Sequence, residues 1–191
     1  MRVGVLALQG DYREHIAALA EVGVDAIAIK TADQINCVEA LVLPGGESTT
    51  IAKLARTFGI FDLLRTKIEN GMPVFGSCAG LILLANKILD GAKDQETFGG
   101  LDITARRNAF GRQVDSFESE IEFKGIGKLT GVFIRAPWVE EVGKEVEVLA
   151  TIHGHPVAVR QRNVFATSFH PELTDNQSVH RFFIEEICKV K

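Results

Sequence analysis

Apolar residues fall in short unbroken runs in the first half of the chain and in shorter, turn-separated runs in the second. Residues 2–8 form a nearly continuous apolar run, the pattern of a strand covered on both faces. Gln9-Gly10-Asp11 breaks it, and Asp11 is placed to cap a helix with Glu14 as its capping-box partner. Ile16, Leu19 and Ala20 supply that helix's buried stripe, and Gly23 stops it. Residues 24–29 and 40–43 read as further strands, the latter ending in Pro44-Gly45-Gly46-Glu47-Ser48-Thr49-Thr50. Ser48 is a candidate cap for a helix running to about Arg56, and residues 61–69 form another, closed by Asn70-Gly71. Residues 73–87 then read as a buried strand, a sharp turn at Cys78 and an apolar helix. This alternation predicts an α/β fold with a doubly wound, mostly parallel sheet. Right-handed crossovers bring the loops after the strands to one edge, so Gln9, Gly45-Gly46 and Cys78 converge there.

The second half changes character. Residues 99–104, 116–123, 131–134, 146–152, 156–160 and 163–168 read as short strands with few helical periods between them, so antiparallel additions to the sheet are expected. Residues 179–189 give a closing helix with Phe182, Phe183, Ile184 and Ile187 turned inward. No linker or repeat interrupts the pattern, and residues 1–191 read as a single domain.

The balance of 21 basic and 25 acidic residues gives a net charge of −4, with no long basic run to support nucleic-acid binding. No apolar stretch approaches a membrane span or the apolar core of a signal peptide, so a cytoplasmic protein is expected. Three widely spaced cysteines, Cys37, Cys78 and Cys188, suggest neither a disulfide framework nor a zinc site.

Cys78 is the exception among the three. Gly76-Ser77-Cys78-Ala79-Gly80 lies between strand and helix, where small neighbours let the backbone turn sharply and present the middle side chain at the sheet edge. The helix that follows aims free N–H groups at the sulfur, which favours a thiolate. The alternative is a packed structural cysteine at a tight turn. A nucleophile needs a base and an orienting group. His170 follows the strand at 163–168, Pro171 stiffens its turn, and Glu172 lies two residues on, where it can hold the imidazole in one tautomer. An oxyanion needs N–H donors: the backbone of Ala79 is the natural first and that of Gly45-Gly46 the natural second. His15 and His180 read as surface or edge residues of helices, and His153-Gly154-His155 as a hairpin turn rather than a metal pair. Cys37 and Cys188 read as structural or incidental. Trp138 is open between core packing and a contact surface.

Together Pro44-Gly45-Gly46-Glu47, Gly76-Ser77-Cys78-Ala79-Gly80 and His170-Pro171-Glu172 resemble the three signature blocks of class I, triad-type glutamine amidotransferases. Further blocks at 4–11, 107–117, 131–137 and 168–174 resemble one branch of that family, the glutaminase subunits of pyridoxal 5′-phosphate synthases. The resemblance covers nearly the whole chain; Ser77 stands where relatives often carry Thr. It implies a flavodoxin-like amidotransferase fold, with Cys78 as nucleophile, His170 as acid–base and Glu172 as its orienter, acting through a glutamyl thioester, and with the N–H groups of Ala79 and Gly46 holding the oxyanion. It implies a glutamine pocket built from Gly45, Gly46, Glu47, Arg107, Ile134 and Arg135. Glu47 would read the ammonium and Arg107 the carboxylate, from charges placed apart. No cofactor or metal is implied. The implied partner is a synthase subunit that takes the ammonia to build pyridoxal 5′-phosphate, a form of vitamin B6, from two sugar phosphates. Gln9 is implied to help set the oxyanion hole when that partner docks. Three readings compete: another enzyme on the same scaffold, such as a γ-glutamyl hydrolase; a binding module with a dead glutaminase fold; and a small cysteine hydrolase with a similar elbow, which a glutamine-dependence assay separates. The block at 107–113 argues against the first, and the complete Cys78, His170 and Glu172 set against the second.

Overall fold

A computed structural model describes residues 1–110 and 116–189 of the chain. The stretch 111–115, part of the block that supports the family resemblance, lies outside the described residues. The elements follow in the order β1 (Arg2–Leu6), α1 (Tyr12–Glu21), β2 (Asp25–Ile29), α2 (Ala32–Asn36), β3 (Ala40–Leu43), α3 (Ser48–Thr57), α4 (Phe61–Glu69), β4 (Val74–Ser77) and α5 (Ala79–Leu84). Next come β5 (Ala85–Leu89), β6 (Leu101–Arg106), β7 (Ser116–Phe123), β8 (Gly127–Ile134), β9 (Trp138–Val142), β10 (Glu147–Ile152), β11 (His155–Gln161) and β12 (Val164–Thr167). A 3-10 turn over Pro171–Leu173 and α6 (Ser178–Phe182), which widens into a π turn over Phe183–Ile187, complete the described chain.

The main sheet has seven strands in the order β10-β11-β12-β4-β3-β1-β2. The pairs from β12 through β2 are parallel, while β10 and β11 add antiparallel. The expected mostly parallel sheet is therefore present, with β10 and β11 as its antiparallel additions; β12 joins it parallel, while β6 pairs with β5 and β9 in a second sheet and β7 with β8 in a hairpin of their own. Its central strands β3, β4 and β12 are buried on both faces because successive side chains enter opposite cores. Val74 packs with α3, α4 and α5, while the adjacent Phe75 packs with α1, the β7–β8 hairpin and the C-terminal helix. Phe75 stacks on Phe165 of the neighbouring strand at a centroid distance of 4.8 Å.

Several local expectations are corrected. Asp11 makes no side-chain cap to α1, so it forms no capping box with Glu14; its carboxylate turns toward His170 instead. Glu47, not Ser48, caps α3. Its extended backbone lets Oε2 accept from Thr50 N at 2.8 Å, while Ser48 is buried with its Oγ accepting from Gln95 Nε2. The apolar helix after Cys78 stops at Leu84, because the fully buried run ends at Ala85. Asn86 and Lys87 are exposed and continue as strand β5, paired with β6. The closing helix is α-helical only to Phe182 before its turn widens, which brings Phe183, Ile184 and Ile187 into the core. Helix α2 escaped the periodicity although Thr31-Ala32-Asp33-Gln34 spells a capping box, which the structure forms. Strand β9, which carries Trp138, also went unread.

The buried face of α1 is rotated from the expected one. His15, Ala18 and Leu19 face inward, Ile16 is half-buried and Ala20 exposed. His15 and His180, expected at the surface, are both 0% exposed. The cause is a polar arrangement beneath the sheet edge, described below. The hairpin at His153-Gly154 is as expected. Both residues take positive φ, 49° and 82°, in a two-residue turn that closes β10 on β11.

Candidate active site

Four adjacent strands, β12, β4, β3 and β1, deliver His170, Cys78, Gly45-Gly46 and Gln9 to one edge of the sheet. The ends of β6 and β8 add Arg107 and Ile134-Arg135. These loops line a cavity of about 410 Å³ whose walls include Gln9, Gly46, Glu47, Cys78, Arg107, Ile134, Arg135 and His170. That volume suits a small polar metabolite.

Cys78 sits at φ 47° and ψ −99°, a left-handed conformation that costs a non-glycine residue on the order of 1–3 kcal/mol. The turn holds because its surroundings fix it. Cys78 N donates to Thr167 O at 2.8 Å, tying the elbow to β12. A Cβ on Gly80 would lie 2.2 Å from Leu43 O, so only glycine lets α5 pack against β3. The side chain is 7% exposed and reaches the cavity, with Sγ 4.0 Å from Ile134 O. Ala79 opens α5, so its N–H has no intrahelical acceptor. Gly46 takes φ +144°, and a Cβ there would meet Gln9 Oε1 at 2.5 Å.

His170 is held from two sides. Its backbone N donates to Val132 O of β8 at 2.8 Å, and its Nδ1 contacts Glu172 Oε1 at 2.8 Å. That leaves Nε2 to face Cys78. Burial alone would lower the His170 pKa, but the neighbouring Cys78 and the hydrogen bond to Glu172 outweigh it and raise it to about 10. The imidazolium form is therefore favoured beside the sulfur. Glu172 has a 0% exposed side chain. Burial opposes its charge, yet the neighbouring His15 and His170 hold it well below the usual carboxylate range. Asp11 Oδ2 lies 3.6 Å from the same His170 nitrogen, and burial, with Glu172 and Glu14 nearby, raises its pKa. Asp11, His170 and Glu172 bring one ligand atom each within 4.8 Å of one another, but His170 Nδ1 is already committed to Glu172. A thiol beside an imidazole fixed by a buried carboxylate is an arrangement for nucleophilic attack and proton transfer at a carbonyl.

Glu47 and Arg107 are not placed apart. Arg107 Nη2 bonds Glu47 Oε1 at 2.7 Å, and Arg107 Nη1 bonds Gln95 Oε1 at 3.0 Å. The pair is partly buried in the cavity wall, where each charge neutralises the other. Gln95 was not read as a site residue; it carried no motif, and only the fold brings it to Arg107. Gln9 Oε1 accepts from Glu47 N at 2.7 Å, joining the N-terminal loop to the glycine loop. Arg135, exposed at the cavity rim, takes φ 42°. Trp138 is half-buried and stacked on His155 at 3.7 Å, and is not among the cavity-lining residues. Burial pushes the Cys188 thiol up to about 12, and Cys37 is exposed.

A profile of the SNO glutamine amidotransferase family matches residues 5–189. The chain belongs to this family. Among curated members, it is 59% identical to the pyridoxal 5′-phosphate synthase subunit PdxT of Acidothermus cellulolyticus, covering 98% of this chain and 94% of that one. It is 57% identical to the subunit of the same name from Mycolicibacterium vanbaalenii, covering 97% of both. A crystal structure of a glutamine amidotransferase superposes with a TM-score of 0.92 at 50% identity, over 98% of this chain and 99% of the other. A chain in the structure of PurLQS from Thermotoga maritima shares the fold at 16% identity, with a TM-score of 0.70 over 98% of this chain and 97% of that one. No helix among the described residues of this family member is long and apolar enough to cross a membrane.

The buried ionisable groups of the site predict a stability optimum. His170 is raised from 6.5 to about 10, so its contribution is complete below about 6.5 and is lost as pH rises toward 10. His180 is lowered from 6.5 to about 3 by burial and by His15, so its contribution is complete above about 6.5 and is lost as pH falls toward 3. Glu172, lowered from 4.5, adds to the acid loss below that value. Thermal melting across pH is expected to peak near 6.5 and to decline on both sides. A midpoint that climbs steadily from about pH 4 to about pH 9 contradicts these assignments.

Proposed function

We propose that the chain is one glutaminase domain that hydrolyses L-glutamine to L-glutamate and ammonia and hands the ammonia to a pyridoxal 5′-phosphate synthase subunit. The observation that carries this reading is the Cys78, His170 and Glu172 chain opening on the cavity that also holds the Glu47–Arg107 ion pair. Glutamine carries an ammonium and a carboxylate on one carbon. A protein ion pair with its charges side by side complements that zwitterion, Glu47 reading the ammonium and Arg107 the carboxylate. Ile134 and Arg135 complete the pocket wall, while Gly45 sits behind it against the His170 ring.

The Cys78 sulfur, as thiolate, attacks the side-chain amide carbon. The carbonyl electron pair moves to oxygen, where the N–H groups of Gly46 and Ala79 receive it. His170 Nε2 gives its proton to the nitrogen, the C–N bond breaks, and ammonia leaves a glutamyl thioester. Neutral His170 then takes a proton from water as the water oxygen attacks the thioester. Collapse of that second intermediate releases glutamate and returns the thiolate–imidazolium pair. Glu172 holds His170 in the one tautomer that serves both steps.

Gln9 is proposed as the point where the synthase acts. Its carbonyl is bonded to Glu47 N, and there is no room between Gln9 and Gly46 even for a methyl group. A shift of the N-terminal loop on docking therefore moves Gly46 and its N–H. Ammonia release from glutamine is expected to rise strongly when the synthase subunit is added, and glutamine alone is expected to support pyridoxal phosphate formation as nitrogen source. Equal turnover with and without the synthase removes the role given to Gln9. Failure to release ammonia even in the complex removes the glutaminase reading itself.

A further inference from the structure

We infer that His15 is a positioning residue of this site, holding the second carboxylate oxygen of Glu172 and tying it to Ser77 of the elbow, with His180 setting its tautomer. The inference rests on the glutaminase reading above. Glu172 uses Oε1 for His170, and its Oε2 is buried with no hydrogen bond of good geometry. His15 Nε2 lies 3.4 Å from Oε2. The same nitrogen lies 2.9 Å from Ser77 Oγ, the residue directly before the nucleophile. The other His15 nitrogen, Nδ1, lies 3.0 Å from His180 Nε2. His15, Ser77 and His180 are all 0% exposed.

These contacts select one proton arrangement. His180 Nδ1 is buried without a partner. A bare lone pair tolerates that better than an N–H, so the His180 proton sits on Nε2 and is donated to His15 Nδ1. His15 then carries its own proton on Nε2, which meets Ser77 Oγ at 2.9 Å with Glu172 Oε2 beside it at 3.4 Å. The depressed pKa of His180 agrees with its neutral state. Edge-on contacts of both imidazoles with Phe75, at centroid distances of 5.7 and 5.8 Å, keep the rings from swinging. Glu172 therefore has an imidazole beside each oxygen, which restrains its carboxylate when His170 gives up its proton. His15 also couples the two halves of the machine, since Ser77 belongs to the Cys78 elbow and Glu172 to the His170 turn. This accounts for the rotated face of α1: the helix turns His15 inward at the expense of Ile16.

The test is steady-state glutamine hydrolysis by the complex with its synthase subunit, comparing wild type with His15→Phe, His15→Gln and His180→Leu. His15→Phe keeps the ring and removes the donor; kcat is expected to fall by between about tenfold and about a hundredfold, with KM within about twofold. His15→Gln, whose amide can still donate toward Oε2, is expected to recover most of the loss. The acid limb of the kcat profile should move to higher pH in His15→Phe, because Glu172 loses a neighbour. The other titratable groups that face it, His170 and Asp11, with Cys78 and His180 behind them, stay in place. If His15→Phe does not fold, His180→Leu decides, with a smaller kcat loss and unchanged KM expected. Wild-type kcat in His15→Phe, or in His180→Leu where His15→Phe cannot be made, overturns the inference. An inactive wild-type complex instead overturns the glutaminase reading.

Discussion

Replacing Cys78 by alanine is expected to reduce glutamine hydrolysis to background, a loss of about ten-thousandfold or more, in the complex as in the free chain. The size follows from the site. Among the described residues, Cys78 is the only cysteine in the cavity wall. Without the sulfur, His170 and the two N–H donors have no covalent intermediate to stabilise, and water would have to attack an unactivated amide. Glutamine binding should survive, because the groups proposed to read its charges, Glu47 and Arg107, do not depend on the sulfur. The variant is therefore expected to bind glutamine in calorimetry while releasing no ammonia. Residual hydrolysis at a tenth of the wild-type rate would remove Cys78 from the chemistry.

Gly45→Ala is expected to cut glutamine hydrolysis sharply by displacing His170. The Cβ it adds would lie 2.4 Å from His170 Cε1 and 2.9 Å from its Nδ1. Gly45 is not among the glycines with positive φ, so alanine meets no backbone penalty and the effect is purely steric. Either the ring or the loop must move. A displacement of about 1 Å at an acid–base group costs on the order of a hundredfold in rate. The expected outcome is a kcat loss of about that size in a protein that still folds, read by ammonia release and circular dichroism. Gly46→Ala is a less clean probe, because its φ of +144° adds backbone strain to the clash with Gln9. Full activity in Gly45→Ala would mean that His170 does not occupy this position during turnover.

Much of this architecture was legible before any coordinates. Unbroken apolar runs such as those of β1 and β3 announced strands buried on both faces, and the loops after them carried the residues that meet at the sheet edge. Cys78, His170 and Glu172 were readable because each sits in a short block with its own mechanical logic. What escaped was set by contacts between distant segments. His15 and His180 were taken for surface residues because a histidine on a short helix reads as polar. Nothing local reveals that 165 positions separate two imidazoles only 3.0 Å apart. The inward turn of His15 also shifted the helix stripe from Ile16 and Ala20 to Ala18. Glu47 and Arg107 were assigned opposite duties at a distance, whereas the fold joins them across 60 positions. The short elements failed for a different reason. Five-residue α2 and β9 are below the length at which periodicity separates from chance, although the capping box of α2 was written in its first turn.

The central claim is that Cys78 attacks the glutamine side chain. It is tested most directly by mass spectrometry of the complex after exposure to an electrophilic glutamine analogue. The account predicts a single adduct on the peptide containing Cys78, suppressed by excess glutamine, with Cys37 and Cys188 unmodified. An adduct confined to another cysteine, or labelling of Cys78 that glutamine does not suppress, would contradict it.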